Sequence, residues 1–173
     1  MNLTILRLTL HSAAPMRGDA AKLRGFFATS FNEHALLHQH VTDKLIYRYP
    51  LLQYKMLDGS PLVMGINEGA EVLKDIYDKF DEIKLGESNY TIMERGVTVK
   101  SEEFGCTEEI LSYSFAMPWL ALSQENYAKY VAASEEERRD LLRRILVGNI
   151  LSASKGLGYV ANEHIRLALG RMK

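Results

Sequence analysis

Asp58-Gly59 sits between two apolar runs, and an Asp-Gly pair in that setting closes a tight hairpin between antiparallel strands. The returning strand is Pro61-Leu-Val-Met-Gly-Ile66. The outgoing strand reads from Lys44 to Met56, with Leu45, Tyr47, Tyr49 and Leu51 on one face and Ile46, Leu52 and Tyr54 on the other. Pro50 cannot donate to a ladder, which predicts an edge position or a bulge there.

The flanking periodicities supply what packs on this pair. Leu6, Leu8 and Leu10 alternate with polar residues, so Leu3 to Leu10 reads as a half-buried strand. Asp19 can cap a helix whose Leu23, Phe27 and Phe31 recur every four residues. Beyond the hairpin, Asn67 can cap a second helix with Ala70, Leu73, Ile76 and Phe80 on its buried side. Tyr90 to Lys100 then reads as a strand interrupted by a turn or bulge at Gly96. The order β-α-β-β-α-β is the ferredoxin-like split pattern, and it predicts one lobe over residues 1–100.

Residues 101–173 predict a second, shorter lobe. Ser101 to Glu109 reads as an acidic connector and Ile110 to Ala116 as a strand broken by Met117-Pro118-Trp119. A short helix is expected from Gln124 to Val131. Ser134-Glu-Glu-Glu137 then forms a capping box opening a long helix through Leu141, Leu142, Ile145 and Ile150. His164 to Leu169 alternates as a final strand would. The fold class expected is therefore α+β.

Composition narrows the function classes. With 21 basic and 22 acidic residues among 173, the chain has no global basic field of the kind that marks many nucleic-acid binders, although Arg17, Lys22 and Arg24 cluster early and Lys155, Arg166, Arg171 and Lys173 late. No apolar run approaches the ~18 residues a membrane span needs, and the first residues lack the pattern of a cleaved leader. With a single cysteine, Cys106, these features point to a cytoplasmic protein without a disulfide framework.

Three of the five histidines, His34, His38 and His40, fall just before the aromatic segment YRYPLLQYK, with Lys44 close behind. Imidazole titrates within the working pH range, so this stretch is the natural place for acid–base chemistry. His34 and His38, four apart, could instead form a metal pair, but a third ligand is missing; a purely structural role in capping and loop bonding stays open as well. Near the end, Lys155-Gly156-Leu157-Gly158 fits two readings. One glycine can be the left-handed residue that stops a helix, or the segment can let backbone approach a phosphodiester beside a lysine.

Taken together, LLHQHVTDK, YRYPLLQYK, FAMPWLAL and VGNILSASKGLGY resemble the CRISPR-associated repeat-RNA processing endoribonucleases of the RAMP superfamily, over nearly the whole chain. The resemblance implies tandem ferredoxin-like lobes, the second abbreviated, with a histidine after the first helix as general base and a glycine-rich loop before the last strand. Carried onto this chain, it makes His38 the base, His40 the alternative base or the acid, and Lys44 the cation on the scissile phosphate. Arg24, Lys155, Gly156, Gly158 and Arg166 become the RNA-holding candidates. It implies metal-independent cleavage of CRISPR repeat RNA to 2′,3′-cyclic phosphate and 5′-hydroxyl ends, with no cofactor, no metal and no membrane partner. Working alone, as a homodimer or within a CRISPR effector complex all stay open. So do a catalytically silent RNA-binding subunit and a ferredoxin-like ligand or protein-interaction module.

Overall fold

Leu6, Leu8 and Leu10 are buried along one face of the first strand, β1 (Asn2–His11), in a computed structural model of the chain. The structure describes residues 1–37, 40–41, 44–45, 49–115, 119, 122–162 and 164–170, with the backbone alone at 40, 41, 44 and 45. It divides into two units, residues 1–104 and 105–173.

In the first unit, β1 leads to helix α1 (Ala20–Ser30), a 3-10 turn (Ala35–Leu37) and a two-residue ribbon, β2 (His40–Val41) with β3 (Lys44–Leu45). Then come β4 (Leu52–Leu57), β5 (Ser60–Ile66), α2 (Glu68–Ile76), a second ribbon of β6 (Glu82–Leu85) with β7 (Ser88–Thr91), and the long β8 (Glu94–Glu103). The main sheet runs β4-β5-β1-β8 with every pair antiparallel, which is the ferredoxin-like order. Asp58 and Gly59 both hold positive φ, 48° and 78°, as a two-residue hairpin of matching twist requires.

Helix starts follow local chemistry in one case and depart from it in the other. The Asp19 carboxylate accepts the Lys22 N–H at 2.8 Å and opens α1 as expected. Asn67 does not cap α2 with its side chain; its Oδ1 accepts the Thr4 N–H at 3.0 Å, tying β1 to the start of α2. The buried Leu23 and Phe27 of α1 and Ala70, Leu73 and Ile76 of α2 meet Leu6, Leu8, Leu10 and Val63 of the sheet in one core. Phe27 is its centre. Its ring lies 5.3 Å from that of Phe26, 5.5 Å from Phe80, 5.8 Å from Tyr54 and 6.2 Å from Phe31. Arg95 closes this cluster, its guanidinium 5.5 Å from the Phe80 centroid and bonded to the Phe80 carbonyl and the Asp81 carboxylate.

Three expectations for this unit need correction. Lys44 to Met56 is not one strand: β3 ends at Leu45 and β4 begins at Leu52, with Tyr49 and Pro50 irregular between them, where proline offers no N–H to a ladder. Gly96 makes no bulge. It stands directly opposite Thr9 in an unbroken β1–β8 register, where a Cβ would come within 2.4 Å of Thr9 Oγ1. The strand expected from Tyr90 is two strands, because β7 turns back at Gly86 (φ 68°) to pair with β6.

The second unit holds α3 (Gln124–Ala132) and α4 (Glu135–Gly156), so the fold is α+β with an abbreviated second lobe. Both halves of the capping box form at α4: the Ser134 N–H donates to Glu137 Oε2 at 2.8 Å and the Glu137 N–H to Ser134 Oγ at 3.4 Å. The Ser134 N–H, together with the Ser134 hydroxyl donating to the same Glu137 oxygen at 2.8 Å, holds the Glu137 carboxyl below its ordinary pKa. The strands expected at Ile110 and at His164 are not formed among the described residues of this unit. Ile110 and Tyr113 are 97% and 87% exposed; alternation alone does not make a strand where no neighbour completes a ladder.

Candidate functional site

The chain leaves the core after α1, buries Leu37 in the 3-10 turn, and comes back at Tyr49-Pro50 to enter β4. Between these passages lies a cleft of about 490 Å³. The first turns of α1 give it Ala20, Ala21 and Arg24, the 3-10 turn gives Leu36 and Leu37, and the returning chain gives Tyr49, Pro50 and Leu52 to Lys55. Among the described residues, the lining holds two cations and no carboxylate. Arg24 is half-buried and, among the described residues, has no ion-pair partner, whereas Lys55 is exposed at the rim.

Two tyrosines set the polar character of the cleft. The Gln53 Nε2 donates to the Tyr49 hydroxyl at 2.9 Å, bridging the irregular Tyr49-Pro50 segment to β4. The Tyr54 hydroxyl is buried beside the Phe27 ring and has no partner among the described residues. Burial pushes its pKa up from 10.0 to about 12, with the Arg24 guanidinium pulling the other way.

That phenol makes a stability prediction with a definite sign. It titrates near 10.0 unfolded and near 12 folded, so between those values the folded chain binds more protons and stability falls as pH rises. Tyr54→Phe removes both the titration and a buried hydroxyl without a partner among the described residues, which costs about 1–3 kcal/mol where it is left unsatisfied. Urea unfolding at neutral pH should find the variant at least as stable as the parent. From pH ~10 to ~12 its margin should widen by about 2 kcal/mol. A parent that keeps pace with the variant through that range would contradict the assignment.

The sequence-derived candidates distribute as follows. Arg24 lines the cleft. His38 lies outside the described residues; His40 stands across from Leu45 and Lys44 across from Val41 in the short ribbon, whose segment departs at Leu37 and returns at Tyr49, both on the cleft. In the second unit Lys155 and Arg166 are exposed. Lys155-Gly156 is the last turn of α4 and not a loop before a strand. Gly158, at φ 86°, is the left-handed residue that ends the helix: its N–H bonds the Lys155 carbonyl at 3.1 Å and the Tyr159 N–H bonds the Ser154 carbonyl at 2.9 Å. The Gly158 N–H is therefore already engaged within the chain, and a helix C-terminus carries partial negative charge, so Lys155 is the anion-attracting group there. Gln53 and Lys55 were absent from the sequence-derived set, because a strand accounted for them. The break at Pro50 was the signal that this stretch leaves the ladder.

Comparisons with known proteins bear on both units. The model of the Cas6b N-terminal domain matches residues 1–103 and that of the Cas6b C-terminal domain residues 105–173. A crystal structure of Cas6b superposes with a TM-score of 0.84 at 34% identity, covering 95% of this chain and 76% of that one. Another, of the CRISPR RNA processing endoribonuclease Cas6b, gives 0.69 at 33% identity, covering 95% and 73%. An uncharacterized protein of Methanocaldococcus jannaschii is 41% identical over 88 residues, which is 51% of this chain and 60% of that protein. With both domain models matched end to end along it, the chain belongs to the Cas6b family.

Proposed function

We propose that this chain is an endoribonuclease that cleaves CRISPR repeat RNA without a metal, leaving 2′,3′-cyclic phosphate and 5′-hydroxyl ends. The observation that carries this reading is the likeness, at 33% identity across 95% of the chain, to a protein described as a CRISPR RNA processing endoribonuclease. In-line cleavage needs a base for the ribose 2′-OH, an acid for the departing 5′-oxygen and a cation for the phosphorane. His38 takes the first role, His40 the second or, alternatively, the first, and Lys44 the third. Arg24, Lys155 and Arg166 contact phosphates elsewhere along the RNA, with Gly156 and Gly158 keeping the Lys155 terminus free of bulky side chains. The single cysteine suits a reducing compartment, and the cytoplasm is the proposed place of action.

End-labelled repeat RNA incubated with the protein in excess EDTA tests this directly. Cyclic-phosphate ends at an undiminished rate are expected. Cutting that stops on chelation overturns metal independence and returns the histidines to the metal reading. Tight binding with no new ends makes the chain a silent RNA-binding subunit instead. The mass of the RNA-bound species separates one copy of the chain from a homodimer.

A further inference from the structure

We infer that the cleft between α1 and β4 holds one unstacked nucleotide of the RNA, its phosphate drawn by Arg24 and Lys55 and its base edge read by Gln53. The inference rests on the nuclease reading and adds a specificity site to it. Three features of one cavity converge on this ligand. Among the described lining residues the two cations face no carboxylate, in a chain whose formal charge is −1, so these residues make a local positive site on a nearly neutral protein. The walls are otherwise apolar, with Leu36, Leu37, Pro50 and the Tyr49 ring offering the flat and greasy contacts an unpaired base takes. The volume, about 490 Å³, falls within the range of small-ligand sites. The rim at Ala20, Ala21, Leu36 and Lys55 is exposed, leaving the strand free to continue.

Gln53 supplies the discrimination. One of its amide N–H groups is bonded to Tyr49; its carbonyl oxygen has no partner among the described residues. The amide can thus present a donor and an acceptor side by side to a base edge, the arrangement by which Gln distinguishes one base from another. Tyr49 positions that amide and does not itself read the base.

The test uses the full chain with repeat-derived RNAs randomised one position at a time around the cut. Lys55→Gln, at an exposed position that does not contribute to the core, should weaken binding of all sequences about equally. It should also reduce the log–log salt slope by about 0.7, as loss of one single-strand phosphate contact does. Arg24→Gln should do the same. Gln53→Leu should erase preference at a single position and leave the salt slope unchanged. Tyr49→Phe, which keeps the ring and releases the amide, should broaden that same position. Parent-like preference everywhere in Gln53→Leu, or an unchanged salt slope in Lys55→Gln, overturns the inference while the nuclease reading stands. A parent chain that neither binds nor cuts the RNA overturns both.

Discussion

The His38→Ala variant is expected to cut repeat RNA about 10²- to 10⁴-fold more slowly than the parent while binding it nearly as tightly, because general-base catalysis contributes on that order and proton transfer adds little to ground-state affinity. Single-turnover rates with saturating protein isolate the chemical step from binding. A general base acts as the neutral imidazole and holds no phosphate, so the salt dependence of affinity should not move, in contrast to the phosphate-contact variants. His40→Ala decides between the two histidines. If only His40→Ala is slow, the base is His40. If both are slow and the double variant is no slower than either, the pair acts as one unit, since residues sharing a step are grossly non-additive. Undiminished cutting by both single variants and by the double variant would remove the histidines from the mechanism.

Phe27→Ala carries the largest expected loss of stability, about 3–5 kcal/mol, the range for truncating a fully buried phenylalanine. Phe27 is wholly inaccessible, and its ring touches partners from α1, β4 and the loop after α2 at once. Each aromatic pair adds about 0.5–1.5 kcal/mol beyond its buried area, and the truncation breaks four of them. Against total stabilities of about 5–15 kcal/mol, that leaves the first unit marginal. Chemical denaturation followed by far-ultraviolet circular dichroism measures it. A loss near 1 kcal/mol would mean that the cluster closes around the gap and that Phe27 is not its centre.

Much of the fold was legible where a rule is local. The Asp58-Gly59 turn, the Asp19 cap and the Ser134/Glu137 box each rest on residues within three positions of one another, and each forms as the residue types require. Illegible features depend on partners far along the chain. Asn67 turns to Thr4, 63 residues away, where its side-chain oxygen accepts the N–H near the start of β1. Gly96 is opposite Thr9 for lack of room and not for a bend. The β6–β7 ribbon has four-residue strands, too short for Ile83 and Leu85 to declare a period against their surroundings. Of the cleft, Arg24 stood out as a member of the early basic cluster with Arg17 and Lys22. Gln53 and Lys55 did not, since a cavity arises from where two elements fail to touch and no single periodicity encodes that.

Gly65 in β5 and Gly69 in α2 govern the cleft wall through the backbone of Leu51. A Cβ on Gly65 would come within 2.3 Å of the Gly69 carbonyl oxygen, and one on Gly69 within 2.3 Å of the Leu51 carbonyl oxygen, which already accepts the Ile66 N–H at 2.8 Å. Strand, helix and returning chain are thus stacked backbone on backbone, like plates with no washers between them. Leu51 is the next residue after Pro50, so a methyl group added at either glycine would shove the stack outward and carry Tyr49 and Pro50 with it. Two missing side chains act as the gauge that sets how wide the cleft opens.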